Sequence, residues 1–359
     1  MARTGLTGPE LKPTTAAGSS RPQPLLRNDP TTFTADIGLI LANQVNKAPD
    51  SVILLPPEYI HERGPDPDSP NASWRQGYEV KRCWKTTVAY EQISGTGASS
   101  TSSTSSNSSI QPHPRLAAFI TRDPWTSLPI LAKPSGPPLD RFLDQNKATI
   151  YDQGSTGHRI KTAFRPLAYK WALHLASALE FVHAQDIILG DLSTAHCWLS
   201  GTGGRTLSLF LVGFLDASFR DRYSGIKYLG GASSSEPFHP LNIRQPGVRR
   251  SPEPSVQTDL FLWGCVVYQL MVGHWPGHEE GAGRSWADME KMIPGQEWPE
   301  LERDYLGQVV RRCWTGEVES SRRLRENLLE FLQTEGWQVE AGDDLKFDPS
   351  PLFPEIVIR

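Results

Sequence analysis

The segment 181–192, F-V-H-A-Q-D-I-I-L-G-D-L, strongly constrains the fold because it joins a helix to a loop that carries a carboxylate. In the residues before it, apolar side chains recur at intervals of three and four: Leu167, Trp171, Leu175, Ala178, Leu179 and Val182. This spacing predicts a helix over 167–182 that is buried along one face. After Asp191, the apolar run 207–212 predicts a short strand. The loop at Asp191 therefore lies between two buried elements.

Two further motifs follow in order along the chain. The first is D-L-F-L-W-G at 259–264, which opens a largely apolar run, and the second is V-V-R-R-C-W at 309–314. Asp259 follows Asp191 by about 70 residues, and Cys313 follows Asp259 by about 50. Three motifs in this order identify a fold family more specifically than any one of them alone.

The first motif resembles the helix end and catalytic loop of eukaryotic protein kinases, Y-L-H-x-x-x-I-x-H-R-D-L-K-P-x-N. The residues in register are Phe181, Val182, His183, Ile187, Asp191 and Leu192. The second motif resembles the D-x-x-x-x-G helix of the kinase domain, and the third resembles its late cysteine–tryptophan helix. The resemblance implies an α+β, bilobal protein-kinase-like fold, in which a small β-rich N-lobe with one helix precedes a larger helical C-lobe.

Within this family, two fragments resemble fungal divergent kinase-like proteins. They are P-H-P-R at 112–115 and C-W-T-G-E-V-E-S-S at 313–321. The first fragment stands between the N-lobe helix and the next strand, and we use it to set the register of the N-lobe. The resemblance covers 139–332 well, and the segment before it more loosely.

Composition divides the chain into four regions. Residues 1–30 are rich in Thr, Pro, Gly and Ser and predict a disordered tail. Residues 31–138 form the N-lobe-like part, interrupted at 94–111 by a disordered insertion that is nearly all Ser and Thr. Residues 139–340 form the kinase-like C-lobe, and 341–359 form a C-terminal tail.

Periodicity predicts the regular elements within these regions. Strands are expected at 51–55, 116–120, 128–132 and 207–212. Helices are expected at 77–93, 167–182, 256–272, 285–293, 303–314 and 320–333. Between them, 219–253 is rich in Gly, Ser, Pro and Arg, and predicts a long loop.

The groups that bind nucleotide phosphates in a kinase are missing at the corresponding positions. The stretch expected to hold the Gly-rich loop contains only Gly38. The register places Leu54 at the strand lysine and Thr86 at the helix glutamate. Lys81 is an alternative lysine, although a solvent-exposed helix face accounts for it as well. Glu91 matches a different acidic position, and we expect it to face solvent.

The metal-ligand positions are lost as well. Phe214 is in register with the phenylalanine of D-F-G, which leaves Gly213 at the aspartate position. The asparagine position is His196, and an imidazole is a poor ligand for Mg²⁺. We expect His196 to be a hydrogen-bonding loop residue. Asp216 lies three residues after Gly213 and is interpreted as a loop cap, or as a metal ligand if the backbone is rearranged.

Two aspartates of the family pattern remain. Asp191 stands at the catalytic base position and is interpreted either as a vestigial base or as a carboxylate that shapes its loop. The resemblance implies a structural role for Asp259, which would accept hydrogen bonds from backbone N–H groups of the catalytic loop. The tripeptide S-P-E ending at Glu253 resembles A-P-E, but it lies too close to Asp259 to be given the usual ion pair.

Charge and cysteine usage limit the remaining functions. A net charge of −4 and a pI near 6.2 argue against nucleic acid or a membrane surface as partner. Four cysteines without C-x-x-C spacing indicate reduced thiols rather than zinc. With no signal peptide or membrane-length apolar run, we expect a cytoplasmic or nuclear protein.

We therefore expect a pseudokinase that acts as a binding or scaffold module for protein partners whose identity the sequence does not indicate. No cofactor is expected under this interpretation. The alternative is a divergent but active ATP-dependent serine/threonine protein kinase, which would use ATP and Mg²⁺.

Overall fold

The computed structural model describes the chain in segments. They are residues 30–32, 40–43, 51–55, 72–95, 113–122, 128–154, 157–200, 207–230, 236–243, 252–278 and 283–353. The predicted disordered tail, apart from Pro30, and residues 96–111 of the predicted Ser/Thr insertion lie outside these segments, as does Gly38.

Within the described segments, the N-terminal lobe is a five-stranded sheet with one long helix. The strands are β1 (Pro30–Thr32), β2 (Ile40–Asn43), β3 (Ser51–Leu55), β4 (Phe119–Arg122) and β5 (Pro129–Ala132). They lie in the order β1-β2-β3-β5-β4, and every neighbouring pair is antiparallel. Helix α1 (Ala72–Ser94) packs on the sheet through a face that includes Val88, Ala89 and Ile93.

The C-terminal lobe is mainly helical. Its helices are α2 (Leu139–Gln145), α3 (Lys147–Ile150), α4 (Arg165–His183), α5 (Val256–Val272), α6 (Trp286–Met292), α7 (Gly307–Trp314) and α8 (Ser321–Thr334). Its strands form short antiparallel pairs and one three-stranded sheet: β6 (Tyr151–Gly154), β7 (Gly157–Ile160), β8 (Ile187–Ile188), β9 (Cys197–Ser200), β10 (Ser208–Leu211), β11 (Ser218–Arg220), β12 (Lys227–Tyr228), β13 (Val339–Glu340) and β14 (Asp344–Leu345).

Local chemistry accounts for the ends of the central helices. Pro166 occupies the first turn of α4, where its missing N–H removes no helical hydrogen bond. Helix α5 begins with a capping box between Ser255 and Thr258, and ends at Gly273 with a φ of 78°. The predicted bounds 256–272 are confirmed. The tryptophans of both helices, Trp171 and Trp263, are buried in the core as expected.

Other predicted elements are displaced. The strand expected at 116–120 lies at 119–122, and helix α1 begins five residues earlier than expected. The helix expected at 303–314 is split, because Leu306 adopts a φ of 64° between the 3₁₀ turn Arg303–Tyr305 and α7. A left-handed residue breaks the helical hydrogen-bond ladder at that point.

Residues 341–353, which the sequence analysis treats as part of a tail, pack against the helical lobe. Leu345 is buried in β14, and the Phe353 ring contacts the rings of Phe142 and Phe164 edge-on, with centroids 5.4 Å apart in both cases. Asp343 forms two hydrogen bonds with the guanidinium of Arg115, at 2.9 and 3.0 Å. The C-terminal hairpin thus joins the helical lobe to the P-H-P-R fragment.

A sheet with one helix, followed by a larger helical lobe, is the α+β bilobal arrangement that the resemblance implies. The prediction of a kinase-like fold class is confirmed. None of the helices within the described segments has the length and apolar character needed to cross a bilayer.

Candidate functional site

The loop that carries Asp191 is anchored from below by Asp259 of helix α5. The Asp259 carboxylate is fully buried and accepts hydrogen bonds from the backbone N–H groups of Leu189 at 2.7 Å and Gly190 at 2.8 Å. His183 Nε2 lies 2.8 Å from the same carboxylate. The resemblance implies that Asp259 accepts hydrogen bonds from N–H groups of this loop, and both of these N–H groups belong to it. The two hydrogen bonds hold the loop in place.

Gly190 cannot be replaced by the arginine of the kinase pattern without a backbone shift. Its φ is 77°, a conformation that side chains with a Cβ rarely adopt. A Cβ at this position would lie 2.8 Å from the carbonyl oxygen of Asp216 and 3.0 Å from Pro254. The loop is therefore built around the glycine, and the change from arginine is a structural feature of this chain.

His196 is held in the loop by a capping box. Its Nδ1 accepts the backbone N–H of Ser193 at 3.1 Å, and its own carbonyl accepts the N–H of Val212 at 2.8 Å. The side chain is 5% exposed. Since Nδ1 is an acceptor in this arrangement, the lone pair on that nitrogen is used within the loop.

The residue at the aspartate position of D-F-G, Gly213, has a φ of 85°. Its N–H donates to the hydroxyl oxygen of Tyr90 at 3.2 Å. Burial raises the pKa of Tyr90, so this hydroxyl stays protonated. The buried ring of Phe214 packs edge-on against Tyr90, with centroids 4.9 Å apart. Helix α1 and the Gly213 loop are thereby joined.

A buried ion pair lies beside this contact. Asp216 Oδ2 is 2.7 Å from Nη2 of Arg82, and both side chains are at most 8% exposed. The two residues are 134 positions apart in sequence. The sequence predicts a loop cap or a displaced metal ligand at Asp216, but its carboxylate instead connects the loop to helix α1.

Lys85, one turn further along α1, adds a second cation. Burial lowers the pKa of Lys85 to about 8; the charge of Asp216 opposes this shift and that of Arg82 adds to it. Its Nζ donates to the carbonyl of Leu229 at 3.4 Å. Arg82 and Lys85 are not among the residues predicted from the sequence. Their spacing was the available signal, because it places two basic residues on the same helix face as Ala89.

The N-lobe positions singled out in the sequence have other surroundings. Thr86 is fully buried and its hydroxyl donates to the carbonyl of Arg82. Leu54 lies in β3, opposite Leu41 of β2. Lys81 is exposed.

The prediction that Glu91 faces solvent is wrong. Its carboxylate accepts hydrogen bonds from both Nε and Nη2 of Arg122 in β4, with a distance of 2.9 Å to Nε, and its side chain is 17% exposed. By contrast, Glu253 forms a largely exposed pair with Lys227 at 3.2 Å, as expected for a residue without the usual A-P-E ion pair.

Asp191, at the catalytic base position of the family pattern, is buried. It is 5% exposed, and its Oδ1 lies 3.8 Å from Nε2 of His239. His239 is also buried, and its Nδ1 accepts the N–H of Leu241 at 3.1 Å. The neighbouring Phe238 accepts a hydrogen bond from Trp275 Nε1 through its carbonyl. The segment 236–243 therefore covers Asp191, and sequence reasoning missed it within a predicted loop.

A small cavity lies where these groups meet. Asp191, His196, Gly213, Phe214 and Asp216 are among the residues that line it, and its volume is about 10 Å³. Such a volume holds about one water molecule. Pockets for small organic ligands are much larger, roughly 300–1,000 Å³.

Comparison with known proteins supports a protein-kinase-like domain. No protein-family model matches the chain. The chain is 26% identical over 187 residues to serine/threonine-protein kinase A-Raf of Mus musculus, Rattus norvegicus and Homo sapiens. The match covers 52% of this chain and 26% of each relative, so it spans about a quarter of their length.

Among solved structures, the chain is similar to one titled "Crystal structure of Rad53 kinase domain and SCD2". The TM-score is 0.45 at 12% identity, with 68% of this chain and 80% of that chain covered. The assignment of the domain rests on the order of its elements and on the A-Raf matches, and these support a protein-kinase-like domain.

Proposed function

We propose that this chain is a protein-kinase-like domain with impaired phosphotransfer, a pseudokinase that serves as a binding or scaffold module. The observation that carries the proposal is the buried pair of Asp216 with Arg82. The carboxylate that follows Gly213 by three residues is thereby paired with a cation and directed toward helix α1.

The neighbouring groups support the same conclusion. Phosphoryl transfer depends on Mg²⁺ and on cations that neutralise the phosphates. Gly213 offers no side-chain ligand, and Nδ1 of His196 is occupied by the N–H of Ser193. Mg²⁺ prefers oxygen ligands, which His196 does not supply. Asp191 remains, but buried beside His239 it is better suited to holding the loop than to orienting a substrate hydroxyl.

The alternative function is a divergent serine/threonine kinase, and one observation favours it. Arg82 and Lys85 place two cations at the side of helix α1 that faces Asp216. If a nucleotide displaced Asp216, these cations would be available to its phosphates, in place of a strand lysine. The A-Raf relatives are named serine/threonine-protein kinases, which agrees with this activity.

The two functions differ in their response to ATP and Mg²⁺. A ligand at 100 times its dissociation constant stabilises the native state by about 2.7 kcal/mol. We expect no Mg²⁺-dependent rise in the melting temperature at millimolar ATP. A rise that is absent from Arg82→Met and retained in the exposed control Arg323→Met would favour the active kinase instead.

The remaining parts of the proposal concern context. We propose that the domain binds protein partners and holds no cofactor. We also propose that it is related to fungal kinase-like proteins, on the strength of the P-H-P-R and C-W-T-G fragments. A cytoplasmic or nuclear location would keep the buried thiols of Cys197, Cys265 and Cys313 reduced. The scaffold role can be tested by isolating a specific protein partner. Exchange of surface residues on the C-terminal lobe should then abolish binding of that partner.

A further inference from the structure

A pocket on the helical lobe lies away from the region described above. It is enclosed by the 3₁₀ turn Arg303–Tyr305, helix α7 and helix α8, and its volume is about 220 Å³. Leu306, Val309 and the partly buried ring of Phe331 form its apolar part. The volume is below the range for drug-sized ligands, roughly 300–1,000 Å³, and suits one or two amino-acid side chains.

An unused hydrogen-bond donor lies in this pocket. Asn327 is 5% exposed, and its Nδ2 has no hydrogen-bond partner among the residues that the structure describes. Buried amide groups in proteins nearly always find a partner. An acceptor supplied from outside the chain would satisfy this donor.

Two arginines line the same pocket. Arg303 lies 3.6 Å from Glu335 and Arg312 lies 3.7 Å from Glu317, which are longer contacts than hydrogen bonds. Each guanidinium carries five donors in a planar fork that suits a carboxylate. Glu330 also lines the pocket, so the charged side chains that line it are two positive and one negative, with Glu335 and Glu317 near the two arginines. An incoming carboxylate would compete with these glutamates for the guanidinium donors.

We propose that this pocket binds a short acidic segment of a partner protein, in which an aspartate or glutamate adjoins an apolar side chain. The carboxylate would take donors from Arg303, Arg312 and Asn327, and the apolar side chain would rest on Leu306, Val309 and Phe331. The site does not involve Asp191 or Asp216, so it stands independently of whether the domain transfers phosphate.

Selection of random dodecapeptides displayed on phage, against the intact chain, tests this site. We expect enriched peptides that carry Asp or Glu beside an apolar residue. Synthetic copies should bind Arg303→Glu/Arg312→Glu about tenfold more weakly or worse, since central arginines at interfaces contribute strongly. Asn327→Leu removes the amide donor without changing charge and should also weaken binding.

The matched control is Arg322→Glu/Arg323→Glu, which makes the same charge change on helix α8. Both arginines pair with Glu326 at 3.2 and 3.1 Å, and neither lines the pocket. Unchanged binding to this control supports the site. Equal loss in both double variants, enrichment of non-acidic peptides, or no enrichment at all would overturn it, and the last result would mean that the pocket holds only solvent.

Discussion

Two buried carboxylates, Asp259 and Asp216, show how the two sides of the candidate site differ. Asp259 accepts hydrogen bonds from backbone groups of its own lobe, and any sequence that keeps this loop needs such an acceptor. Asp216 pairs with the side chain of Arg82 from the other lobe. The first carboxylate maintains the fold, whereas the second forms a contact between the lobes.

Removal of the fold anchor should have the largest effect. Asp259→Ala leaves two backbone N–H groups buried without an acceptor, at roughly 1–3 kcal/mol each. We expect the free energy of unfolding, measured by urea denaturation, to fall by about 4 kcal/mol. Asp259→Asn keeps one acceptor oxygen and should cost less. A loss below about 1 kcal/mol would show that the loop does not depend on this residue.

Acid should weaken a second anchor of the helical lobe. His174 is fully buried, its Nδ1 accepts the N–H of Leu209 at 3.1 Å, and its Nε2 lies 3.2 Å from Asp344. Burial lowers the pKa of His174 to about 4, and the hydrogen bond to Asp344 opposes this shift. A protonated imidazole could not accept the N–H of Leu209, so the folded chain holds His174 neutral.

Between pH 6.5 and about 4 the unfolded chain binds a proton at His174 that the folded chain does not. Stability is therefore present at neutral pH and lost as the pH falls through this window, by up to about 3 kcal/mol. Urea denaturation at several pH values measures the slope. His174→Asn should reduce the dependence of stability on pH. Part of this dependence should remain, because burial also lowers the pKa of His113 to about 4. An unchanged slope would contradict the assignment.

The contact between lobes should cost less to break than the fold anchor. Arg82→Ala leaves Asp216 buried, and removal of one partner of such a pair typically costs about 3–5 kcal/mol. The charge of Asp216 also acts on the pKa of Lys85, so this lysine remains as a cation near Asp216 when Arg82 is removed. We therefore expect a smaller loss of about 2–3 kcal/mol.

A double-mutant cycle makes this measurement specific. Arg82→Met/Asp216→Leu removes both charges and should be less destabilised than the sum of its single variants. The exposed pair of Arg323 with Glu326 is the control, since Arg323→Ala should change the free energy of unfolding by less than about 1 kcal/mol. Additive single variants would mean that Arg82 and Asp216 act independently.

The smallest effect is expected at the catalytic base position. Asp191→Ala removes a buried carboxylate 3.8 Å from His239, and we expect a loss of about 1 kcal/mol in urea denaturation. This is well below the effect of Asp259→Ala. If phosphotransfer is detectable in the parent chain and abolished in Asp191→Ala, Asp191 is a working catalytic residue and the pseudokinase proposal is wrong. The exposed control is Asp186→Asn, because Asp186 has a φ of 58°, at which alanine would add strain.

Elements with a clear period were well predicted. Helix α5 was expected at its observed bounds, and α4 and α8 within two residues, because their apolar residues recur over several turns. The C-terminal hairpin was missed. Its strands β13 and β14 have two residues each, too short for an alternating pattern, and it is held by Arg115 and Lys170 from distant parts of the chain.

The sequence by itself determined the order of elements and the loop at Asp191, and its register predicts that Leu54, Gly213 and His196 stand where a kinase carries phosphate-binding and metal-binding residues. Only the tertiary structure decided which contacts are made around these positions. The pair of Asp216 with Arg82, and the cover that His239 places over Asp191, join residues far apart in sequence. Local patterns report which face of an element is buried, but the partner of a buried charge depends on how distant elements pack.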